Sequence, residues 1–262
     1  MRWLELACAA IVATYVYLRL ARAPLHEPIL RRLGLLMVAS FLGEDSVIRA
    51  YGFYGYSPKW DLFLDRVPLM IILIWPVVID SSWTLAHRLT GGHRRWLPWV
   101  AGAFVLADAS LIEPIAVRAQ LWAWSEPGLF AVPPIGILGW AFFAWAAIAL
   151  YERAGLWTLL LAPLVTHALL LASWWGGLRW VSGSIAPWHA AIAAWALLVP
   201  LAVWLWARNL RRRVPLRDLI VRVPGALFFF VLLALYGRSL PPLVAYTFAF
   251  VPPYLALLRV AP

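Results

Sequence analysis

Long runs of apolar residues recur along almost the whole chain, and they restrict the fold more than any other feature. A helix that crosses the hydrocarbon core of a membrane needs about 20 mainly apolar residues. Nine stretches of roughly this kind begin near Trp3, Leu33, Val67, Trp96, Ala131, Leu156, Ala186, Asp218 and Leu240. Eight spans is the alternative, because glycine and proline residues at 237–242 interrupt the last run. The sequence predicts an all-α, polytopic transmembrane helical bundle.

Composition favours one integral membrane domain over residues 1–262. Hydrophobic residues make up 64% of the chain and charged residues 13%, whereas soluble domains carry about 25% charged residues. A water-soluble globule is therefore excluded. The one cysteine, Cys8, lies in the first apolar run, so a disulfide framework within the chain and a thiolate metal site are excluded as well.

The basic residues indicate how the helices are oriented. The net charge of +10 comes from short segments between apolar runs, such as Arg208 to Arg213, and not from one polar face, so it predicts no nucleic-acid partner. With nine spans and the N-terminus outside, most basic residues fall in inner loops, as the positive-inside rule requires. The first run has no small-residue cleavage site, so we interpret it as a retained span.

Two segments, roughly residues 33–88 and 96–152, match each other when one is laid over the other. Each has an acid, an aromatic-x-aromatic-Ser loop, a Val-Pro pair and a tryptophan in the next span. The alignment pairs Asp45 with Glu113, Tyr54 with Trp122, Tyr56 with Trp124, and Trp75 with Trp140. The units lie two spans apart and share an orientation, which predicts a parallel internal repeat, and sites often form between such repeats. The alternative is chance similarity among tryptophan-rich apolar segments.

Five acids are expected inside three consecutive spans: Glu44, Asp45, Asp80, Asp108 and Glu113. A charged, unpaired acid is costly in a membrane, so such residues usually face the protein interior and are paired, protonated or functional. Asp45 can pair with Arg49 one helical turn away. Glu44 has no equally obvious partner, and burial favours its neutral form, as a proton donor requires. We therefore expect a pocket between the second and fourth spans, opening toward the outer half of the bilayer.

The remaining polar residues suggest no further chemistry. Asp80 with Ser81 and Ser82, and His167 with Thr166, are interpreted as hydrogen bonds between helices rather than as a polar pathway. The histidines are scattered, and there is no nucleotide-binding, redox or serine-hydrolase motif. The sequence thus predicts neither a metal nor a cofactor.

A buried acid among many aromatic rings suits an apolar substrate that is activated by protonation. Protonating an alkene gives a tertiary carbocation, which ring faces stabilise by cation–π attraction. Capture by water yields a tertiary alcohol, whereas capture by an internal double bond yields a ring. General acid catalysis of this kind needs a carboxyl group that stays protonated near neutral pH.

Two segments within residues 40–145 resemble a family of membrane carotenoid-biosynthesis proteins, which includes bacterial γ-carotene 1′,2′-hydratases and haloarchaeal bisanhydrobacterioruberin hydratases. The first comprises GED at 43–45, YGFYGY at 51–56, VPL at 67–69, and Trp75. The second comprises Asp108, EPIA at 113–116, WAW at 122–124, GLF at 128–130, VP at 132–133 and LGW at 138–140. Ile137 stands where the family pattern has an Asn, and Gln120 where a Gly usually precedes the aromatic pair.

The resemblance implies a hydro-lyase in a bacterial or archaeal cell membrane, acting without a cofactor on an isoprenoid or carotenoid. Glu44 or Asp45, with Asp108 or Glu113, would be the catalytic acid and the water-orienting group. The rings in the matched segments would bind the substrate: Tyr54, Tyr56, Trp75, Trp122, Trp124 and Trp140. Membrane lipid is the other expected partner, and the oligomeric state stays open.

Three other functions remain as alternatives. A membrane isoprenoid cyclase would use the same acid without adding water. A proton-coupled transporter or lipid-binding protein would suit the repeat, the intramembrane acids and the proline-rich spans. A scaffold would need the acids only for stability.

Overall fold

The computed structural model describes residues 1–22, 28–181, 185–208 and 214–258, and these residues form an all-α helical bundle, which confirms the predicted fold class. The helices are α1 (Arg2–Arg22), α2 (Ile29–Tyr51), α3 (Leu69–Thr90), α4 (Leu97–Arg118), α5 (Pro134–Ala154), α6 (Thr158–Gly176), α7 (Pro187–Arg208), α8 (Leu216–Ile220), α9 (Val223–Leu232), α10 (Pro241–Phe248) and α11 (Val251–Ala256). Four short strands connect them: β1 (Tyr54–Tyr56), β2 (Phe63–Leu64), β3 (Val67–Pro68) and β4 (Trp122–Trp124). Arg211, Arg212, Arg213 and Arg259 of the predicted inner loops lie outside the described residues.

Five helical segments of the described chain are long and apolar enough to cross a membrane: Arg2–Ala21, Leu69–Thr90, Leu97–Arg118, Pro134–Gly176 and Pro187–Arg208. The fourth of these contains both α5 and α6. Helix α2 has 23 residues, but it carries several charged side chains. These helices are consistent with a membrane protein.

The end of the chain differs from the two continuous spans predicted to begin near Asp218 and Leu240. Four short helices, α8 to α11, occupy residues 216–256, and a single π-helical segment, Leu233–Gly237, extends α9. Helices α9, α10 and α11 each have proline at the first or second position. Proline is favoured at these positions, because the first amide groups of a helix have no intrahelical acceptor and the fixed φ of proline suits the first turn. The prolines therefore mark new helix starts.

Small residues let the central helices pack closely. Ala101, Ala144 and Ala147 are fully buried in the main core cluster, together with Leu36 and Ile79. At Gly102 an added Cβ would lie 3.4 Å from the backbone oxygen of Ala141, so α4 and α5 approach nearly backbone to backbone. Membrane helix interfaces are enriched in such residues because dispersion contacts drive helix association there.

Helices α2 and α4 end in the same way. Gly52 ends α2 with φ of 61°, and Gln120 follows α4 with φ of 58°. This left-handed conformation turns the chain sharply back over the helix end, and it explains why a glycine is expected at the position of Gln120. Both chains then enter a strand, and β1 and β4 pair as a two-stranded antiparallel ribbon.

Candidate active site

The β1–β4 ribbon presents four aromatic rings to the bundle. Side chains alternate between the two faces of a strand, so Tyr54 and Tyr56 share one face while Gly55 lies on the other. In β4 the tryptophans at 122 and 124 are at least partly buried, and Ala123 between them is exposed. The register joins Tyr54 to Trp124 and Tyr56 to Trp122. The aromatic-x-aromatic spacing thus places all four rings toward the helices.

Glu44 on α2 is held by three neutral donors. The phenols of Tyr54 and Tyr56 donate to Glu44 Oε2, the latter at 2.8 Å. Trp75 on α3 donates from Nε1 to Glu44 Oε1 at 2.9 Å. Burial, followed by the nearby Glu44 carboxylate, raises the pKa of both phenols well above its usual value, so they keep their protons.

Glu113 on α4 is held in a matching way. Trp122 and Trp124 donate from Nε1 to Glu113 Oε2 at 2.8 and 2.9 Å. Trp140 on α5 donates to Glu113 Oε1 at 2.8 Å. In both sets, one carboxylate oxygen accepts from two ribbon rings and the other accepts from a tryptophan on the helix that follows. Glu113 is 1% exposed.

The rings around the two carboxylates also contact each other. Each ring that donates to Glu44 packs against a ring that donates to Glu113. The centroid distances are 4.7 Å for Tyr54–Trp124, 5.9 Å for Tyr56–Trp122 and 4.5 Å for Trp75–Trp140. The two carboxylates therefore belong to one continuous aromatic cluster.

The contacts of Glu44, and not those of Asp45, match those of Glu113, whereas the sequence alignment paired Asp45 with Glu113. Asp45 accepts from Arg49 Nε at 2.6 Å, and Arg49 also pairs with Asp65. The alignment is off by one residue because Glu44 lies ten residues before its first ring donor and Glu113 lies nine before its own. One residue on a helix turns the side chain by about 100°.

Glu44 and Glu113 line a common cavity with a volume of about 110 Å³, as do all six aromatic residues of the predicted substrate-binding set. The cavity borders α2, α3, α5 and α6, together with Glu113 of α4 and residues of α1 and α9. Among the described residues, no lysine or arginine lines it. Asp45 and Asp108 do not line it either.

His167 on α6 also lines this cavity, although the sequence suggested only a helix–helix hydrogen bond for it. Its Nε2 lies 2.8 Å from Ser46 Oγ and its Nδ1 lies 2.7 Å from Tyr51 Oη. Ser46 donates its single hydroxyl proton to the backbone oxygen of Leu42, at 2.5 Å. Nε2 then carries the proton, and Nδ1 accepts from Tyr51. Ser46 and His167 are 121 residues apart, so no local pattern reveals the contact.

Asp80 is part of a different arrangement, an ion-paired cluster between α1, α2 and α3. It accepts from the Tyr15 hydroxyl at 2.6 Å and from Arg19 Nε at 2.8 Å, both on Oδ2. Arg32 Nη2 lies 2.6 Å from its Oδ1. The Asp80 side chain is fully buried. It therefore acts as a helix-joining counter-ion for two arginines.

Asp108, one of the four predicted catalytic acids, is also paired with an arginine. Arg222 donates to Asp108 and to the hydroxyls of Ser81 and Ser82, while Tyr254 donates to Asp108 Oδ1 at 2.5 Å. The cluster ties α4 and α3 to the short helices near the end of the chain. Asp108 and Glu113 are on the same helix, but the structure does not bring them to one site.

In the comparisons made, no family model, curated protein or solved structure matches the chain. Within the described ranges, no group of three or more histidine, cysteine or acidic side chains is placed to hold a metal ion. Fold and site together define an all-α bundle of membrane-length helices in which two carboxylates, one buried and one partly buried, are held by aromatic donors and share one apolar cavity.

Proposed function

We propose that the protein is a cofactor-independent hydratase, which protonates a terminal double bond of an isoprenoid or carotenoid and adds water to give a tertiary alcohol. One observation carries the proposal: Glu44 and Glu113 share an apolar cavity that no described lysine or arginine lines. Such a pair is equipped to give a proton to an apolar substrate and to accept one back.

The surroundings of the two carboxylates limit how many protons the pair can lose. Two ionised carboxylates in one apolar cavity repel each other, and each also loses its hydration. Neutral ring donors offset part of this cost, but they supply no counter-charge. The pair therefore retains at least one proton, as two close carboxylates do when they titrate together.

The proton that the pair retains is carried by Glu44. A phenol hydroxyl both donates and accepts, so a protonated Glu44 can donate to Tyr54 or Tyr56. An indole N–H only donates, so a proton on Glu113 has no acceptor among its three tryptophan partners. Glu44 is therefore the acid, and Glu113 is the carboxylate that faces the developing cation.

The proposed reaction moves one proton to the substrate and adds one water. The Glu44 proton adds to the less substituted alkene carbon, and the π electrons form the new C–H bond, leaving a tertiary cation. The Glu113 charge and the ring faces stabilise this cation. Water adds through oxygen, and its surplus proton passes to Glu113. Return of that proton to Glu44 through cavity water completes the cycle with a net addition of one water.

The cavity size fits a long substrate only at its end. A single water needs about 10–15 Å³ of such volume, so about 110 Å³ accommodates several waters or a branched chain end, but not a whole polyene. The rest of a carotenoid would extend between the helices into lipid. A terminal double bond is thus the part that reaches the carboxylates.

We also propose that residues 33–88 and 96–152 form a parallel repeat about an axis along the membrane normal. The ribbon register, the paired ring contacts and the matching carboxylate contacts each support it, because exchanging the two units maps each set onto itself. With eight or nine spans and the N-terminus outside, the ribbon covers the outer end of the bundle. The proposed location is a bacterial or archaeal cell membrane.

The direct test supplies membranes containing the protein with lycopene or γ-carotene and measures product mass. A gain of one water supports the hydratase. A product of unchanged mass with altered chromatography supports a cyclase, which the apolar cavity lining also suits because it limits water. Absence of any product, combined with proton-coupled uptake that Glu44→Gln abolishes, indicates a transporter.

A second measurement tests the proton assignment without any substrate. Infrared difference spectra detect the C=O stretch of a protonated carboxyl group. We expect Glu44→Gln to remove such a band from the spectrum at neutral pH, and Glu113→Gln to leave it in place. Loss of the band in Glu113→Gln alone would reverse the two roles.

A further inference from the structure

We infer that a groove at the opposite end of the helices from the ribbon binds the headgroup of an anionic phospholipid. The groove has a volume of about 470 Å³, within the roughly 300–1,000 Å³ of ligand pockets. It lies between the α3–α4 connection, the first turn of α4 and the last turns of α5. Its walls combine a cationic rim with an aromatic floor.

The rim carries a surplus of positive charge. Arg94, Arg95 and Arg153 line the groove together with one acid, Glu152, and with His93. Arg94 Nε lies 3.1 Å from Glu152 Oε2, so one arginine is neutralised and two positive charges remain. Guanidinium groups bind phosphate oxygens through paired N–H donors. The rim thus fits a phosphodiester with its single negative charge.

The floor is apolar and lies below the rim. Trp145 lies nine residues before the end of α5, and Trp83 lies seven before the end of α3. At 1.5 Å per residue, the two residues lie about 10–14 Å deeper than the helix ends. This depth exceeds the polar headgroup layer, which adds about 5–7 Å on each side of the hydrocarbon core. A phosphate at the rim would therefore place its glycerol and upper acyl carbons on the tryptophans.

The floor also contains a buried hydrogen-bond donor, the indole N–H of Trp145. Trp145 Nε1 is buried and has no hydrogen-bond partner among the described residues. Its ring packs against Trp99 with centroids 5.2 Å apart. A buried donor without a partner is unfavourable. Because Nε1 lies beneath the groove surface, an ester carbonyl of a lipid satisfies it once the Trp145 ring turns toward the groove, whereas a free phosphate would stay at the rim.

The surroundings favour a membrane lipid over a soluble anion. Trp96 and Trp99 are 56% and 61% exposed beside the groove, as expected of tryptophans that anchor a helix end at the membrane interface. Basic pockets between membrane helices are known to bind anionic headgroups. This inference does not depend on the proposed hydratase activity.

The test compares lipid retention by native mass spectrometry after extraction from nanodiscs that contain equal shares of phosphatidylglycerol and phosphatidylcholine. We expect the wild-type protein to retain phosphatidylglycerol preferentially. The triple variant Arg94→Gln/Arg95→Gln/Arg153→Gln is expected to lose this preference by about tenfold or more. The matched control Arg2→Gln/Arg66→Gln/Arg238→Gln removes the same charge elsewhere and should keep it.

A second variant separates the groove from general electrostatic attraction. Trp145→Phe keeps every charge and most of the ring but removes the free donor, so it should weaken phosphatidylglycerol retention several-fold, and a thermal transition like that of the wild type shows that it folds. Equal retention of phosphatidylcholine overturns the inference, and so does an equal loss in the control triple. Displacement of the lipid by millimolar inorganic phosphate would indicate an adventitious anion site instead.

Discussion

Two kinds of acid lie between the helices of this protein, and they are stabilised by opposite means. Asp80 and Asp108 are paired with arginines, two around Asp80 and Arg222 beside Asp108. Among the described residues, Glu44 and Glu113 accept from neutral hydroxyl and indole donors, and they line the cavity. The aspartates have a counter-charge and do not line the cavity. The glutamates line the cavity, and no counter-charge from the described part of the chain contacts them.

This difference indicates which acids are available for chemistry. An acid that is paired with a buried cation stays ionised. Removing the acid leaves the charge of that cation uncompensated in a low-dielectric interior. An acid that is held by dipoles alone can take up and release a proton, because neither form is locked by a full charge. We therefore divide the intramembrane acids into a structural set, Asp80 and Asp108, and a proposed functional set, Glu44 and Glu113.

The largest expected effect is on catalysis at the glutamates. Glu44→Gln removes the transferable proton and should lower hydration turnover by about 10²–10⁴-fold, while the glutamine keeps the side-chain shape. Turnover is measured as product per protein in membranes supplied with γ-carotene. Wild-type turnover in Glu44→Gln would remove the distinction between the two sets of acids.

The next effect is on stability at the aspartates. Asp108→Asn removes the carboxylate that pairs with Arg222, and Asp80→Asn removes one carboxylate from beside two arginines. We expect each variant to lose about 3–5 kcal/mol of unfolding free energy, measured by denaturant titration in detergent. If both variants unfold like the wild type, the aspartates are not the structural set.

The hydrogen bonds to Glu113 can also be disturbed by a substitution at a residue that is not an acid. An added Cβ at Gly136 would lie 2.5 Å from Trp124 Cζ2, so Gly136→Ala must displace the ring that donates to Glu113. The expected loss is about 1–3 kcal/mol, together with reduced turnover. Gly139→Ala is the matched control, because its Cβ meets Leu170 at an ordinary 3.5 Å. Equal behaviour of the two variants would show that Trp124 is not held tightly.

Removing one ring donor should have a smaller effect. Tyr56→Phe deletes the 2.8 Å hydrogen bond to Glu44 and keeps the ring contact with Trp122. The expected loss is about 0.5–1.5 kcal/mol if Glu44 is neutral, and about 1.5–3 kcal/mol if it is ionised. Thermal unfolding at neutral pH therefore also reports on the charge of Glu44.

The smallest expected effect is at Asp45, next to Glu44 in the sequence. Asp45→Asn weakens a pair with a half-exposed Arg49, and such pairs contribute about 0.5 kcal/mol or less. Turnover should stay at the wild-type level. A loss of turnover as large as that of Glu44→Gln would transfer the acid role to Asp45.

Local patterns account for much of the cavity. The aromatic-x-aromatic spacing of Tyr54 and Tyr56 places both rings on one strand face, whichever helix lies beneath. The same holds for the pair at 122–124, and all six aromatic residues selected from the sequence line the cavity. The all-α class followed from the apolar runs, because a membrane requires the backbone to satisfy its own hydrogen bonds.

By itself, the sequence determined the fold class, the rings and the shortlist of four acids. Only the tertiary structure decided among those acids. Glu44 and Asp45 are adjacent on one helix, and the packing of α2 decides which of them faces the rings. Asp108 is paired with Arg222, 114 residues away, and His167, which lines the cavity, contacts Ser46 at a similar separation. Contacts between distant helices have no local signature, since they depend on how whole faces pack and not on the order of neighbouring residues.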